Sequence, residues 1–433
     1  FSYREKDGKA KINLLFITRL LKIYNDKKTI KLIKEKKYNA IKLKKEKIKI
    51  CFFIARPGLW CFDELYKLVI QNQKLEPYIV ITPDVFFPQK TMFDFTNKLK
   101  IFFEDKGYKN VICGYDLSAN KIIDIKNTIN PDIIIHTDFM KMHIDNLYYI
   151  TRFQDKINFL NEYGYSVMED KLTCNYELNN LVDIYFRPSI IHKEMAKNYM
   201  KNNGKNVKIV GSPKIDVIHN KNYLPSNHWK NQNKLKKRII WAPHHSLKHP
   251  DKMYQYNSFL DLYDFMLELA NKYKDDIQIA FRPHPMLEVT LSKPEWWGSD
   301  RQKEYYQKWD KLENCQYYSD GEFMDLFLTS DAMIMDSCSF MAEYTSCNKP
   351  LLHTIGSKTR LGLNEFGEKL YEVCYKTKND LKQDIIKFIE DVILKENDYL
   401  KQERTKFVKK YFSKINGKTA SENIYQEILK IIN

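Results

Sequence analysis

From Ile48 onward, short apolar runs alternate with stretches of helical period. Within Lys49–Ala55 (KICFFIA) the run Ile50–Ala55 is apolar throughout, the pattern of a strand covered on both faces. It predicts a strand, followed by a helix over Phe62–Gln71, a strand over Tyr78–Thr82 and a helix over Phe93–Phe103. A strand at Asn110–Cys113, a helix at Ile122–Thr128 and a strand at Asp132–His136 follow. Lys156–Leu160 and Asp183–Phe186 are further strands, and a helix over His192–Met200 leads into a strand at Val207–Val210. A polar stretch, His219–Lys237, then interrupts the pattern and reads as a linker.

The alternation resumes with strands at Arg238–Trp241 and Ile277–Phe281, the helix Ser258–Tyr273 lying between them. A short helix at Phe323–Leu328, a strand at Ala332–Met335, a helix at Phe340–Ser346 and a strand at Leu351–Thr354 come next, and Ala420–Ile431 is a final helix. A β-α-β rhythm implies parallel, doubly wound sheets. The expected architecture is two Rossmann-like α/β domains, residues 48–225 and 226–433, with the last helix able to pack back on the first. Ahead of them, residues 1–47 read as a basic helical segment, with helical pattern over 12–24 and a Lys-rich amphipathic stretch over 28–45.

Length and composition add bounds. The 433 residues suit two or three domains, and 43% hydrophobic with 14% aromatic residues supplies sizeable cores. No apolar run approaches the roughly 18–20 residues of a membrane span. The eight cysteines are scattered with no C-x-x-C pair, so free, mostly buried thiols and a reducing compartment are expected. No signal-peptide pattern opens the chain, and it starts at Phe1 rather than Met, so sequence upstream of Phe1 is expected. A cytoplasmic protein is the expectation.

Charge changes the picture more. Residues 1–49 hold 17 Lys+Arg against 5 Asp+Glu, so +12 of the net +16 sits there and the remaining 384 residues carry +4. A near-neutral body argues against a nucleic-acid groove through the fold. The basic segment suits either an anionic membrane surface, through residues 1–49, or a solvated linker.

In open α/β sheets, ligands bind beyond the carboxyl ends of the strands. After three successive strands of the second domain come Pro243-His244-His245-Ser246, Arg282-Pro283-His284-Pro285 and Asp336-Ser337-Cys338-Ser339. Ser337 and Ser339, at an expected helix start, suit a phosphate cradle, with an N-cap as the plainer role. Glu343, one turn on, could grip ribose hydroxyls. Arg282 could clamp a phosphate, His284 could donate to a phosphate oxygen, and His244 or His245 could contact a diphosphate. His245 and His249 have metal-like spacing, but Pro243 and Pro250 bracket them and no acidic or Cys ligand shares the loop, so no metal is expected. The phosphate-loop, dinucleotide and nucleophile-elbow fingerprints are absent.

Taken in order, four segments resemble the CDP-glycerol glycerophosphotransferase family, whose members build teichoic-acid-like and capsular polymers. They are Val210-Gly211-Ser212-Pro213-Lys214-Ile215-Asp216, Trp241-Ala242-Pro243, Arg282-Pro283-His284-Pro285, and the string from Ser330-Asp331 through Asp336-Ser337-Cys338-Ser339 and Glu343-Tyr344 to Lys349-Pro350. Gly417-Lys418-Thr419-Ala420-Ser421 also fits. The resemblance implies a GT-B fold of two facing Rossmann-like domains with the nucleotide in the C-terminal one. It implies a CDP-linked donor, no further cofactor, and release of CMP when an acceptor hydroxyl attacks the distal phosphate. By position, Pro213, His244, His245, Arg282, Asp336, Ser337, Ser339 and Glu343 would bind the donor, and His284 would be catalytic.

The family's W-H-G-T-P segment, which carries its expected base, has no counterpart here. Asn161-Glu162-Tyr163-Gly164-Tyr165 is the nearest candidate, with Glu162 and Tyr163 in the catalytic position. Arg56, His136 and Asp138, at strand ends of the first domain, are acceptor-side candidates. The leading expectation is therefore a transferase of surface-polysaccharide synthesis, acting on a polysaccharide or lipid-linked glycan acceptor at the inner membrane face. A GT-B glycosyltransferase, a nucleotide-sugar epimerase and a membrane- or polyanion-binding module stay open.

Overall fold

A computed structural model describes residues 27–433 apart from 117, 163, 170, 248–256, 320–322, 339, 355–361 and 379. The helical pattern over 12–24 lies outside the described residues. The chain divides into two compact units: residues up to 163 with 171–213 and 418–433, and residues 164–170 with 214–417. The expected junction near residue 225 falls within the second unit.

The first unit is built on seven parallel strands: β1 (Ile48–Ile54), β2 (Leu75–Ile81), β3 (Val111–Cys113), β6 (Ile133–His136), β7 (Ile157–Asn161), β8 (Ile184–Arg187) and β9 (Val207–Ile209). A small antiparallel hairpin, β4 (Tyr115–Asp116) and β5 (Lys121–Ile122), stands apart. The sheet order β3-β2-β1-β6-β7-β8-β9 reverses direction between β1 and β6. Alternate residues of β1 feed two cores. Ile50, Phe52 and Ile54 pack with Ile133 and Ile135 on one face, while Cys51 and Phe53 pack with Ile134 on the other. That two-sided burial explains the continuous apolar run. The last helix, Ala420–Ile432, opens with a capping box at Thr419 and Glu422 and lays Ile424, Ile428 and Ile431 into the first of these cores.

The second unit has six parallel strands, β10 (Lys237–Ala242), β11 (Ile277–Phe281), β12 (Cys315–Tyr317), β13 (Ala332–Met335), β14 (Leu351–His353) and β15 (Tyr375–Lys376), in the order β12-β11-β10-β13-β14-β15. The reversal falls between β10 and β13. Sequence pattern passes over the edge strands β12 and β15, only three and two residues long, and the helices Pro285–Leu291, Gly298–Lys311, Leu381–Lys387 and Lys401–Tyr411. The expected helix at Ile122–Thr128 shortens to Ile125–Thr128, because Ile122 pairs in the hairpin.

One device recurs at the amino edge of both sheets, where an aspartate side chain accepts the N–H of a strand's second residue. Asp132 Oδ2 accepts the Lys49 N–H at 2.8 Å, Asp183 Oδ2 that of Asn158 at 2.9 Å, and Asp331 Oδ2 that of Arg238 at 2.8 Å. The basic helix Lys27–Lys42 and the turn after it reach the same edge. Lys37 pairs with Asp183 at 2.9 Å and Lys44 with Asp132 at 2.6 Å. All eight cysteines are free thiols, six of them buried.

Candidate active site

The crevice at a doubly wound sheet's reversal is the default ligand position. In the second unit it is lined by the segments following β10, β11 and β13. Asp336, directly after β13, is buried, and both its oxygens are committed. Oδ1 accepts the His244 N–H at 2.7 Å; Oδ2 accepts the N–H and hydroxyl of Ser258 at 2.8 and 3.1 Å. Burial raises its pKa to about 6 against the opposing pull of those donors. Its carboxylate thus ties the loop after β10 to the start of the helix Phe259–Lys272.

Three imidazoles gather in that loop region. Ring centroids of His244, His245 and His284 lie 4.1, 4.2 and 5.0 Å apart pairwise. His284 caps the helix Pro285–Leu291, its Nδ1 accepting the Met286 N–H at 3.1 Å. The Nδ1 of His244 accepts the Ser246 N–H at 3.3 Å. A backbone N–H can only donate, so each neutral ring carries its proton on Nε2. Ring nitrogens of the three residues come within 4.8 Å of one another, close enough to share a cation. But two of the three offer N–H donors on Nε2, and no carboxylate joins them, so the set suits an anion. Burial, then the neighbouring His245 and Arg282, lower the pKa of His284 to about 3, leaving it a neutral donor at pH 7. Arg282 itself is buried, its guanidinium 4.9 Å from the Phe340 ring and 5.5 Å from Phe323.

Glu343 lies in the helix Met341–Ser346 and is buried, not an exposed helix acid. The helix begins after Phe340, with no side-chain cap, so neither Asp336 nor Ser337 starts it. Ser339 lies outside the described residues. Ser337 is held from behind, its carbonyl accepting from His353 Nε2 at 3.0 Å. Glu343 Oε1 accepts the Tyr165 N–H at 3.2 Å, whereas buried Oε2 has no partner among the described residues. Burial raises its pKa to about 7. Gly164 makes room for it: a Cβ there would come within 2.5 Å of Oε1. Tyr165 and Gly164 reach this place only through the crossing of the chain into the second unit, which no local pattern announces.

In the first unit the reversal lies between β1 and β6. Arg56, after β1, pairs through Nη2 with Asp138 at 2.5 Å and through Nε with Asp84 at 3.4 Å. Asp84, which sequence reasoning passed over, also accepts from His143 Nδ1. His136 is not beside them. It is buried, donating from Nε2 to Asn158 at 3.1 Å and packed on Phe53, with its pKa lowered to about 4 by burial. Glu162, at the end of β7, is fixed by two donors on one oxygen, the Tyr185 hydroxyl and Arg187 Nη1. Those donors occupy Oε1, and Oε2 makes no hydrogen bond among the described residues. Tyr163 lies outside the described residues. Pro213 is buried at the head of a 3-10 segment, and Lys214 after it stands 4.4 Å from the Phe323 ring.

Two doubly wound units, each with polar side chains collected at the sheet reversal, define a GT-B enzyme. Three solved structures share the architecture. A variant of the wall teichoic acid polymerase TagF is 16% identical, with a TM-score of 0.57 over 97% of this chain and 98% of that one. A putative UDP-N-acetylglucosamine 2-epimerase from Listeria monocytogenes is 17% identical, with a TM-score of 0.53 over 88% and 96%. A UDP-GlcNAc 2-epimerase from Methanocaldococcus jannaschii, in complex with UDP-GlcNAc and UDP, is 14% identical, with a TM-score of 0.52 over 88% and 100%. At these identities the likeness is one of fold. No curated protein matches the chain. The sequence model for CDP-Glycerol:Poly(glycerophosphate) glycerophosphotransferase matches residues 160–430, and the chain belongs to this family of enzymes.

Proposed function

We propose that the protein transfers a glycerol-phosphate-like group from a CDP-activated donor to an acceptor hydroxyl, releasing CMP. The observation that carries this reading is the carboxylate-free group of His244, His245 and His284 beside buried Arg282, at the reversal of the second sheet. Such a set neutralises and orients a diphosphate. Chemistry of this kind is mostly positioning and charge stabilisation. His284 Nε2–H donates to an oxygen of the leaving phosphate, Arg282 balances its charge, and the unpartnered Oε2 of Glu343 receives a ribose hydroxyl. Asp336 keeps the His244 loop in register without touching the donor. Charge neutralisation by these groups calls for no metal cofactor, so activity should survive a chelator.

The acceptor we infer is a growing surface polymer, of teichoic or capsular type, on a lipid carrier at the cytoplasmic face of the membrane. Among the described residues no helix is long and apolar enough to cross a membrane. Exposed Leu32 and Leu43, set among lysines, support contact with an anionic surface. Binding to anionic vesicles at low salt checks this; indifference to vesicle charge would count against it.

The deciding test measures melting temperature with CMP, CDP, UDP, GDP and ADP, then CMP release from CDP-glycerol. A ligand at about 100 times its Kd stabilises by about 2.7 kcal/mol. A response confined to cytidine nucleotides, with CMP as product, supports the proposal. A response to UDP or GDP alone would replace it with sugar transfer or epimerisation.

A further inference from the structure

Lys214 belongs to the segment Val210–Asp216, and the reading above gives it no task. It lies in the 3-10 segment Pro213–His219 and is buried. Burying an ammonium is costly, and such lysines are kept where something uses the charge. Elsewhere in the chain the use is architectural. Lys37 pairs with Asp183 at 2.9 Å, and Lys349 donates to the carbonyls of Phe327, Leu328 and Ser330.

The surroundings of Lys214 are aromatic. Its Nζ stands 4.4 Å from the centre of the Phe323 ring, and the Arg282 guanidinium stands 5.5 Å from the centre of that same ring. Phe340 lies beside both, its ring 4.9 Å from the Phe323 ring and 4.9 Å from the guanidinium. A ring holds a cation in place without cancelling its charge, so the charge stays available to an anion. Lys214 is also close to Glu343: burial raises that carboxyl's pKa, and the Lys214 ammonium is among the influences opposing the rise. Lys214, Arg282, Phe323, Phe340 and Glu343 all belong to the second unit. Lys214 thus neighbours the residue assigned to the phosphate and the residue assigned to the ribose. In a nucleotide, the group common to those two places is the phosphate esterified to the ribose.

We propose that Lys214 is a further donor-binding residue, its ammonium donating to an oxygen of the phosphate esterified to the ribose. The inference rests on the transferase reading above, which puts Arg282 on the phosphate and Glu343 on the ribose. As CMP leaves, that phosphate gains a second negative charge. A cation fixed against it therefore counts for more in the transition state than with the intact donor.

The test measures binding of cytidine, CMP and CDP by calorimetry to the full chain, as the parent, Lys214→Met and Lys214→Arg. Methionine keeps an apolar stem for the Phe323 ring and removes the charge. It should weaken CMP and CDP by about 10- to 100-fold, the size of one charge-assisted hydrogen bond, and leave cytidine within about twofold. Its kcat for CMP release from CDP-glycerol should fall by at least about tenfold. Arginine should restore CMP affinity to within about fivefold of the parent. In the parent, the Lys214 ammonium resonance, assigned by its loss in Lys214→Arg, should shift with CMP and stay in place with cytidine. If Lys214 only balanced the buried carboxylates Glu343 and Asp216, cytidine and CMP would weaken alike. That result, or a Lys214→Met protein binding CMP within about twofold of the parent, overturns the assignment. Should the parent bind UMP and UDP but neither CMP nor CDP, the cytidine reading fails, and the same comparison with uridine, UMP and UDP decides Lys214 by the same margins. If the parent binds none of these nucleotides, the donor-site reading fails and the Lys214 assignment falls with it.

Discussion

Replacing Glu343 by glutamine separates the cost of its buried charge from its shape. In the folded protein burial lifts the carboxyl from its ordinary 4.5 to about 7. Between those two pH values the folded chain keeps the proton and the unfolded chain loses it. Folding therefore binds a proton, and stability falls as pH rises through the window. The penalty is absent below about 4.5 and complete above about 7. A displacement of some 2.5 pH units corresponds to about 3 kcal/mol. Glutamine keeps an oxygen for the Tyr165 N–H and carries no charge, so its stability lacks this slope. Any fixed cost of the amide cancels when only the change with pH is compared. Asp336, with its own window from 3.8 to about 6, is present in both proteins and cancels too. Melting of the parent and Glu343→Gln should show the variant gaining by about 3 kcal/mol between pH 4 and pH 8. That is about 6–12 °C for a unit of this size. A gap that does not change with pH, or that closes as pH rises, would refute the buried-charge argument. The same variant should bind CDP more weakly, since a ribose hydroxyl would lose an ionised partner.

Three further outcomes follow from single contacts. His284→Asn preserves a cap for the Met286 N–H but removes the Nε2 donor, so CMP release should fall by about 100-fold or more with melting nearly unchanged. Lys349→Met strips the ammonium from the carbonyls of Phe327, Leu328 and Ser330 at the end of the helix Met324–Thr329. Denaturation should show a loss of about 1–3 kcal/mol, with CDP affinity intact. Asp331→Ala leaves the Arg238 N–H without its acceptor at the amino edge of the second sheet, and a loss of similar size should appear in the same assay.

The strands were legible where both faces are buried, because such strands hold unbroken apolar runs; Ile50–Ala55 and Ile133–Ile135 are cases. Edge strands β12 and β15 were not, being two or three residues long with polar members such as Gln316 and Lys376. The helix Gly298–Lys311 was missed because its core side, Tyr305, Tyr306 and Trp309, is sparse among charged residues. The candidate site of the second unit was legible because its side chains follow their strands within a few positions. Asp84 and His143 are 59 positions apart and meet through one irregular bridge, so nothing local marked them.

The string from Ser330 to Pro350 shows what such a pattern encodes. Read along the chain, its polar members look like one ligand-binding set. In the fold they separate by task. Asp331 closes the sheet edge, Ser330 bonds the Tyr344 hydroxyl, and Lys349 caps a helix end. Asp336 spends both oxygens on the loops around it, and among the described carboxylates of the string Glu343 keeps a buried oxygen without a partner. Fixed spacing is what a parallel sheet demands of such residues, since each must meet a backbone group set by strand length. Where a polar side chain is satisfied by the backbone, its position in the string reports architecture. Where it is buried and unsatisfied, as at Glu343, the missing partner is the ligand's to supply, and the unpaired atom is a sharper guide to function than the string that contains it.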